Sequence, residues 1–385
     1  MEWLRLCDVA EVIMGQSPKS EYCNDNKEGL PFYQGVSDFG EIFPVPSKYC
    51  AEPKKIAEID DILIGVRAPV GDLNISNSNC CIGRGVAAIR ANEKFISKKY
   101  LFYFLKTQKQ YFEINSTGST FKAINKSVLS ENLVPIIDIN KQKIIEDMLD
   151  RIENIIRKRK EQIQSYDDLI ESLFFDMLQY ELTSDKIEYS KLGDLTSHIS
   201  SGSTPRGGSS VYKSEGIPLI RSQDVKMNNL DYSNVVYIDT ETHDKMKRSK
   251  LKNRDVLLNI TGASIGRTAV FYGEDDSANT NQHVAAIRLK DEKVSPEFLS
   301  FYFSTEYFQA IIKNISSGGT REALNYKQIR EFDIPLISKI KQEKFIKNKE
   351  KIEEEKKKLN SSLKELEDLF DALMQEAFSG NLFKE

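Results

Sequence analysis

Two stretches of this chain, 140–178 and 340–378, contain no proline or glycine and carry apolar residues at seven-residue spacing. In the second, Phe345, Ile352, Leu359, Leu366 and Leu373 form one row, and 200 residues earlier stand Ile145, Ile152, Arg159, Tyr166 and Leu173. The companion heptad positions are mixed: Met148, Ile155, Gln162 and Leu169 against Asn348, Glu355, Ser362 and Leu369. This pattern predicts two long helices pairing as a coiled coil with polar interruptions, weak in the middle and firmer toward Leu173 and Leu373. Asp138 and Ser338 are placed as N-caps, Pro135 and Pro335 stop what precedes, and Gly380 ends the second helix. Helices of about 40 residues far exceed the usual globular length, which favours pairing with each other over lying each on its own globule.

The segments before each helix, roughly 1–138 and 187–338, have a different period. Short apolar runs such as Ile62-Leu-Ile64 and Val256-Leu-Leu258 are bounded by Gly or Asn and predict strands, as do Val86–Arg90 and Val284–Arg288. Glycines 15, 35, 65 and 71, and then 202, 207, 208 and 266, punctuate them. An amphipathic helix is predicted over 98–112 and another over 296–312. The fold class read from these patterns is α+β: two similar strand-rich domains (1–138 and 187–338) and two long helices (139–180 and 339–385).

The two halves repeat each other. Leu6-Cys-Asp8 matches Leu192-Gly-Asp194 at an offset of 186, and Gly29-Leu-Pro31 matches Gly216-Ile-Pro218 at 187. Asp61–Ile64 matches Asp255–Leu258 at 194, and Ala87–Arg90 matches Ala285–Arg288 at 198. Asn125, Pro135 and Lys141-Gln142 return at 325, 335 and 341–342, an offset of 200. An offset that grows in one direction is what two copies of one fold give when the second has longer loops. Asn125 and Asn325 read as caps rather than contact residues.

A helix of about 40 residues spans roughly 60 Å. Two such helices paired antiparallel, each leaving its own domain, would make a pseudo-two-fold spacer with a sister module at each end. DNA presents its major groove on one side about every 34 Å, so such a molecule suits two unlike half-sites separated by unread base pairs.

Composition limits the other choices. The chain has 385 residues, 40% hydrophobic and 29% charged, with no apolar run long enough to span a bilayer. Its start lacks the basic-then-apolar pattern of a secretory signal, so an intracellular, cytoplasmic location without membrane attachment is expected. Five cysteines (7, 23, 50, 80 and 81) all precede three distant histidines (198, 243 and 283), and no CxxC pair exists, which argues against a disulfide framework or a metal site. A net charge of −4 and a pI near 5.7 do not mark a free-standing nucleic-acid binder. Lys245–Arg254, however, carries six basic residues and no acidic one, which suits either a solvated loop or a phosphate-contacting edge.

The order strand-rich globule, long helix, strand-rich globule, long helix resembles the specificity subunits of type I restriction-modification enzymes over essentially the whole chain. Gly202-Ser-Thr-Pro205 followed by Gly216-Ile-Pro-Leu-Ile220 is similar to that family's opening pattern. Asp255–Leu258 with Gly262-Ala-Ser-Ile-Gly266, then Gly319-Thr320, Leu324, Ile334-Pro-Leu336 and Gln342, resemble its core, and Ala377–Leu382 its ending. The first copy departs, with Gly15-Gln-Ser-Pro18 and Arg67-Ala-Pro-Val-Gly71 at the corresponding places. The resemblance implies two target-recognition domains, double-stranded DNA as ligand, and two methyltransferase subunits as partners. It implies restriction/translocase subunits as further partners. S-adenosylmethionine, ATP and Mg would be bound by those partners and no cofactor by this chain. The methyltransferase would flip and methylate an adenine in each half-site.

No catalytic set is legible. A methyltransferase motif such as N-P-P-Y and a phosphate-binding G-x-x-x-x-G-K-[ST] loop are both missing from the sequence, and Gly83-Arg-Gly85 reads as a turn. Asp291-Glu-Lys293 superficially matches a nuclease motif but reads as a solvated turn. Base reading needs Arg, Asn or Gln, and phosphate contacts need Lys, Arg, hydroxyls or Gly-rich backbone. In the second domain this selects Ser203, Thr204, Arg206, Arg221, Ser222, Gln223, Arg267, Gln282, His283, Thr320 and Arg321. In the first it selects Gln16, Ser17, Lys19, Tyr33, Gln34, Arg67, Arg84, Thr120 and Lys122. Leu173, Phe174, Met177, Leu369, Phe370 and Met374 exceed what a two-helix seam needs and are expected to pack against methyltransferase helices. Two other arrangements fit the same sequence: a type IIB-like enzyme whose single partner methylates and cuts, and a coiled-coil scaffold that binds proteins. A cryptic nuclease would cleave DNA alone with metal.

Overall fold

A computed structural model describes residues 1–118, 122–182, 188–316, 323–380 and 382. The chain divides into two compact units. Unit 1 comprises Met1–Gln162 and Leu359–Glu385, and unit 2 comprises Ile163–Lys358. Both long helices are continuous: α1 runs Ile139–Leu182 and α2 runs Lys339–Ser379. Each unit therefore contains one strand-rich globule, the start of the helix that follows it, and the end of the other helix.

In unit 1 a four-stranded antiparallel sheet has the order Ala10–Met14, Val86–Ala91, Ile62–Gly65, Leu73–Ile75. Its inner strands are buried over Val86–Ile89 and throughout Ile62–Gly65, which accounts for their unbroken apolar runs. A five-stranded sheet follows the order Cys23–Asn24, Lys48–Cys50, Leu30–Tyr33, Cys80–Ile82, Ile56–Ala57, and its Leu30–Tyr33 and Cys80–Ile82 strands are parallel. The first strand, Glu2–Arg5, pairs with Leu133–Ile136.

Unit 2 repeats this topology. Its four-stranded sheet is ordered Thr196–Ser201, Val284–Leu289, Val256–Asn259, Thr268–Val270, and Glu188–Lys191 pairs with Asp333–Leu336. The smaller sheet keeps three strands, Val236–Ile238, Ile217–Ile220 and Asn279–Thr280, again with one parallel pair. Register is preserved: Val86 faces Gly65 in unit 1, and Val284 faces Asn259 in unit 2.

The repeated motifs hold the same structural jobs twice. Arg90 forks onto Asp61, with Nε–Oδ1 at 3.0 Å and Nη2–Oδ2 at 2.8 Å, and Arg288 forks onto Asp255 at 2.8 and 2.6 Å. Both carboxylates are buried, so the bidentate partner is what makes an ionised group tolerable there. Gln142 Oε1 accepts from Ser97 N at 2.9 Å, and its Nε2 donates to the carbonyls of Phe95 and Ile137. Gln342 does the same with Ser295 N and the carbonyls of Lys293 and Ile337. Each buried amide locks the start of a long helix to the loop that enters the helix at Lys98 in unit 1 or Pro296 in unit 2. Asn125 and Asn325 are N-caps, accepting from Val128 N and Gln328 N. Asp138 Oδ1 caps Asn140 N at 2.9 Å, and Gly380, at a φ of +80°, terminates α2.

The single amphipathic helices predicted over 98–112 and 296–312 are each two. Lys98–Thr107 is followed by Lys109–Ile114, and Pro296–Ser304 by Glu306–Ser316. In unit 2 the break is an extended Thr305, whose Oγ1 accepts from Phe308 N and so begins the next helix.

The inward stripe of the long helices also differs from the heptad reading. The row Ile145, Ile152 … Leu173 does face inward, but its companions lie four residues on, at Leu149, Ile156 and Ile170, rather than three. Met148, Ile155, Leu169 and Leu369 are exposed. A 3.6-residue period accommodates either step, and the globule beneath decides between them. In unit 1, Ile145 and Leu149 share a core with Met374, Ala377 and Phe378, whose ring lies 5.1 Å from Tyr100 and 5.6 Å from Phe104. In unit 2, Phe174 sits among Phe298, Phe301 and Phe345 at 5.4, 5.0 and 5.2 Å. Asp167 pairs with Lys356 while Phe174 meets Phe345 in that unit, so the two helical segments run antiparallel there. In unit 1, Lys160 pairs with Glu367 at 2.8 Å.

Candidate nucleic-acid interface

In unit 1 the candidate residues gather where strands end. Gly15 N donates to Val86 O, Gln16 N to Ile82 O, Gly83 N to Tyr33 O, Gly85 N to Gln34 O, and Val66 N to Gly85 O. Ile124 N donates to Val66 O, and Arg67 bridges Ala123. Five loops, at 15–17, 33–35, 66–68, 83–85 and 122–124, are thereby knitted into one surface. Gly15 is obligatory in it, because a Cβ there would lie 2.1 Å from Gly83 O. Gln16, Gln34, Arg67, Arg84 and Lys122 are exposed on these loops, Ser17 is half-buried, and Lys19 is exposed just beyond the first loop. Ser17 Oγ accepts from both Arg84 N and Arg84 Nε at 3.3 Å. Lys19 pairs with Glu21 at 3.1 Å and lies over Tyr22.

Unit 2 builds the corresponding surface with four of these six bonds. Gly202 N donates to Val284 O, Asn281 N to Ile220 O, Ile260 N to His283 O, and Leu324 N to Ile260 O. A Cβ on Gly202 would lie 1.6 Å from Thr280 O. Ser203, Thr204, Arg206, Gln223 and Gln282 are exposed, while Arg221, Ser222, Arg267 and His283 are partly so. Thr204 Oγ1 donates to Gln282 Oε1, Gln282 Nε2 lies 2.8 Å from His283 Nε2, and His283 Nδ1 lies 2.5 Å from Thr261 Oγ1. Arg267 sits on the turn after Ser264, its carbonyl accepting from Asn259 N. Thr120, Thr320 and Arg321 lie outside the described residues.

A family model described as the type I restriction modification DNA specificity domain matches residues 1–165 and again 184–379. The chain belongs to the type I restriction-modification DNA specificity family. Its role is that of the DNA-recognition subunit of such a system. The putative MjaX specificity subunit of Methanocaldococcus jannaschii is 43% identical over 157 residues, which is 40% of this chain and 37% of that protein. The EcoBI specificity subunit of Escherichia coli is 23% identical over 421 residues, 99% of this chain and 86% of that one. Among solved structures, one from work on complex assembly and conformational transition of the type I system matches with a TM-score of 0.62 at 18% identity, over 99% of this chain and 98% of that one. The S subunit from M. genitalium matches with a TM-score of 0.57 at 16% identity, covering 98% and 96%. These two likenesses establish a shared fold.

Within this specificity-family fold several sequence-predicted positions change meaning. Tyr33 is 1% exposed, with its hydroxyl directed at Pro44 O, and burial pushes its phenol up to about 12. It is a core residue of its strand, facing away from the loop surface that Gln34 enters. Arg221 is held by Asp224 through Nε at 3.3 Å, by the carbonyl of Asn234 at 2.6 Å, and over the Tyr212 ring. It braces its loop, and the carbonyl of Ser222 is likewise taken by Asn259 Nδ2 at 2.8 Å. Half of the basic stretch 245–254 is compensated: Lys245 pairs with Glu241, Lys250 with Asp244 and Arg254 with Glu297. Lys247, Arg248 and Lys252 remain exposed. Asp291 caps Lys293 N at 3.1 Å, an ordinary turn.

Of the six expected partner-docking residues, Phe174 is fully buried and Met374 is 9% exposed, both inside globule cores. Phe370 packs on Tyr103 at 6.2 Å. Leu173 and Met177 rim an apolar cavity of about 370 Å³ with Phe345, and Leu369 is 55% exposed. Sequence reasoning missed the residues that aim the loops. Asp38 accepts from Gln34 N at 2.7 Å and Asp224 from Arg221 N at 2.9 Å, while Thr261 steadies His283. The two aspartates stand at an offset of 186, a signal the repeat contained. Among the described residues no group of His, Cys, Asp and Glu could hold a metal ion, and no helix is long and apolar enough to cross a membrane.

Proposed function

We propose that each unit reads one half of a split, asymmetric DNA target through its five-loop surface, and that this chain itself performs no chemistry. The observation that carries this reading is the duplicated loop cluster: a shared set of four backbone bonds presents Arg, Gln and Ser side chains in both units, with Lys added in the first and Thr and His in the second. Such groups supply the donors and acceptors for base edges and phosphates. In this reading α1 and α2 form an antiparallel coiled coil with pseudo-two-fold symmetry, which fixes the separation of the half-sites. Two methyltransferase subunits holding S-adenosylmethionine methylate one adenine in each half. Restriction/translocase subunits contribute ATP- and Mg-dependent cleavage. The complex works in the cytoplasm.

Leu369 is the docking candidate that is exposed, and Leu173, Met177 and Phe370 are half-buried. Leu369→Glu is expected to weaken capture of a methyltransferase subunit without unfolding unit 1. The reading is tested by deleting the chain from its host and sequencing methylated bases. One bipartite adenine motif disappears if the reading is right. An unchanged methylation pattern, with no DNA binding by the chain plus a methyltransferase partner, would favour the protein-scaffold reading instead.

A further inference from the structure

The matched loop bonds place Arg84 and Gln282 at one and the same position of the two repeats. In unit 1 the turn Gly83-Arg84-Gly85 is fixed by Gly83 N to Tyr33 O, Val86 N to Gly83 O and Val66 N to Gly85 O. In unit 2 Asn281-Gln282-His283 is fixed by Asn281 N to Ile220 O, Val284 N to Asn281 O and Ile260 N to His283 O. The middle residue is the one that projects in each. Glycines flank Arg84, and the buried Asn281 turns its Oδ1 back onto His283 N.

Both side chains are also steadied from the same neighbouring loop, by Ser17 on one side and Thr204 on the other, at an offset of 187. Of the guanidinium, Ser17 takes only the Nε–H, so among the described residues both terminal nitrogens stay free as a two-pronged donor. That is the group that matches O6 and N7 of guanine. Thr204 uses one lone pair of the Gln282 amide oxygen, and His283 uses one of its two N–H groups. One acceptor and one donor remain on the same amide, the kinds of group that match N6–H and N7 of adenine. Turning the amide over exchanges the two neighbours and leaves the same remainder.

We infer that position 84/282 is a specificity-determining position of this subunit: Arg84 selects a guanine in one half-site, and Gln282 selects an adenine in the other. The inference rests on the DNA-reading function proposed above. Arg221, which occupies the place equivalent to Gln34, is excluded from this task because its guanidinium is already spent on Asp224 and Asn234.

The test uses the full complex with its methyltransferase subunits, and duplexes in which each base pair of the two half-sites is varied in turn. Arg84→Gln is expected to move one position of one half-site from guanine toward adenine. Binding to the original site should fall about tenfold to a hundredfold, with the other half-site unchanged. Gln282→Arg should do the converse in the other half. Ser17→Ala, which frees the guanidinium without removing it, should blur discrimination at the Arg84 position without shifting it. If the wild-type complex shows a defined bipartite target and neither exchange alters any base preference, the inference is overturned while the function stands. If the exchanges alter both halves together, the assignment of one residue to each half is overturned. A wild-type complex with no defined target would instead overturn the function itself.

Discussion

Phe174 supplies the sharpest test of how a long helix is held. Its ring is fully buried, within 5.4 Å of the rings of Phe298, Phe301 and Phe345. Its neighbour Phe175 is 41% exposed on the same helix. Phe174→Ala removes a buried ring and leaves a cavity among rigid aromatic neighbours, a change that costs about 3–5 kcal/mol. That figure already contains the aromatic contacts, each about 0.5–1.5 kcal/mol, so they are not added to it. Phe175→Ala, at an accessible site, should cost below about 1 kcal/mol. Native-state hydrogen exchange read by mass spectrometry separates the two. A loss of ~4 kcal/mol raises the opening equilibrium nearly a thousandfold, at about 1.4 kcal/mol per decade. The effect is expected in peptides covering Pro296–Ser304 and Glu306–Ser316. Equal effects from the two substitutions, or a change under about 1 kcal/mol for Phe174→Ala, would refute the assignment of this residue to the globule core.

Other outcomes follow from the same contacts. Gln142→Leu leaves the Ser97 N–H and the carbonyls of Phe95 and Ile137 without their side-chain partner and should destabilise unit 1 by about 2–4 kcal/mol, measured by the same exchange method; a neutral result would remove the amide's locking role. Cys7 is exposed, whereas burial pushes Cys80 up to about 11 and Cys81 up to about 12, so a thiol reagent at pH 8 should modify Cys7 quickly and spare Cys80 and Cys81 until denaturant is added. Hydrogen bonds from Thr242, with Lys213 nearby, hold the Asp239 carboxyl down at about 2. Because the folded value is depressed, its contribution is complete above pH 4 and fades as pH falls toward 2, so a carboxyl NMR midpoint near 4 would contradict the cap. Arg321→Ala should weaken DNA binding by ~1–3 kcal/mol if that side chain reads a base, and unchanged affinity and target preference would remove it from the candidates.

The repeat made much of this molecule legible. Asn125/Asn325 and Gln142/Gln342 recur at an offset of 200 because caps and buried locks tolerate few substitutes, and both pairs have matching structural roles. The convergence of loops was only half visible. Residue chemistry selected Ser17, Arg84, Thr204 and Gln282, but not the hydrogen bonds that join 17 to 84 and 204 to 282, since sequence spacing says nothing about loop contacts across a sheet end. Tyr33 was misplaced for a local reason: adjacent strand residues point to opposite faces, so its neighbour Gln34 is exposed while Tyr33 is core. Phe174 and Met374 were misplaced because helical period reveals which residues share a face. It does not reveal that a strand-rich globule, as well as a second helix, covers that face.

The most direct measurement is the sequence around every adenine methylated by the complex containing this chain. Two sister reading surfaces in one polypeptide predict two short, different, defined blocks separated by a gap of constant length and no preferred bases. A single contiguous block, a palindrome, or a gap of variable length would contradict the account.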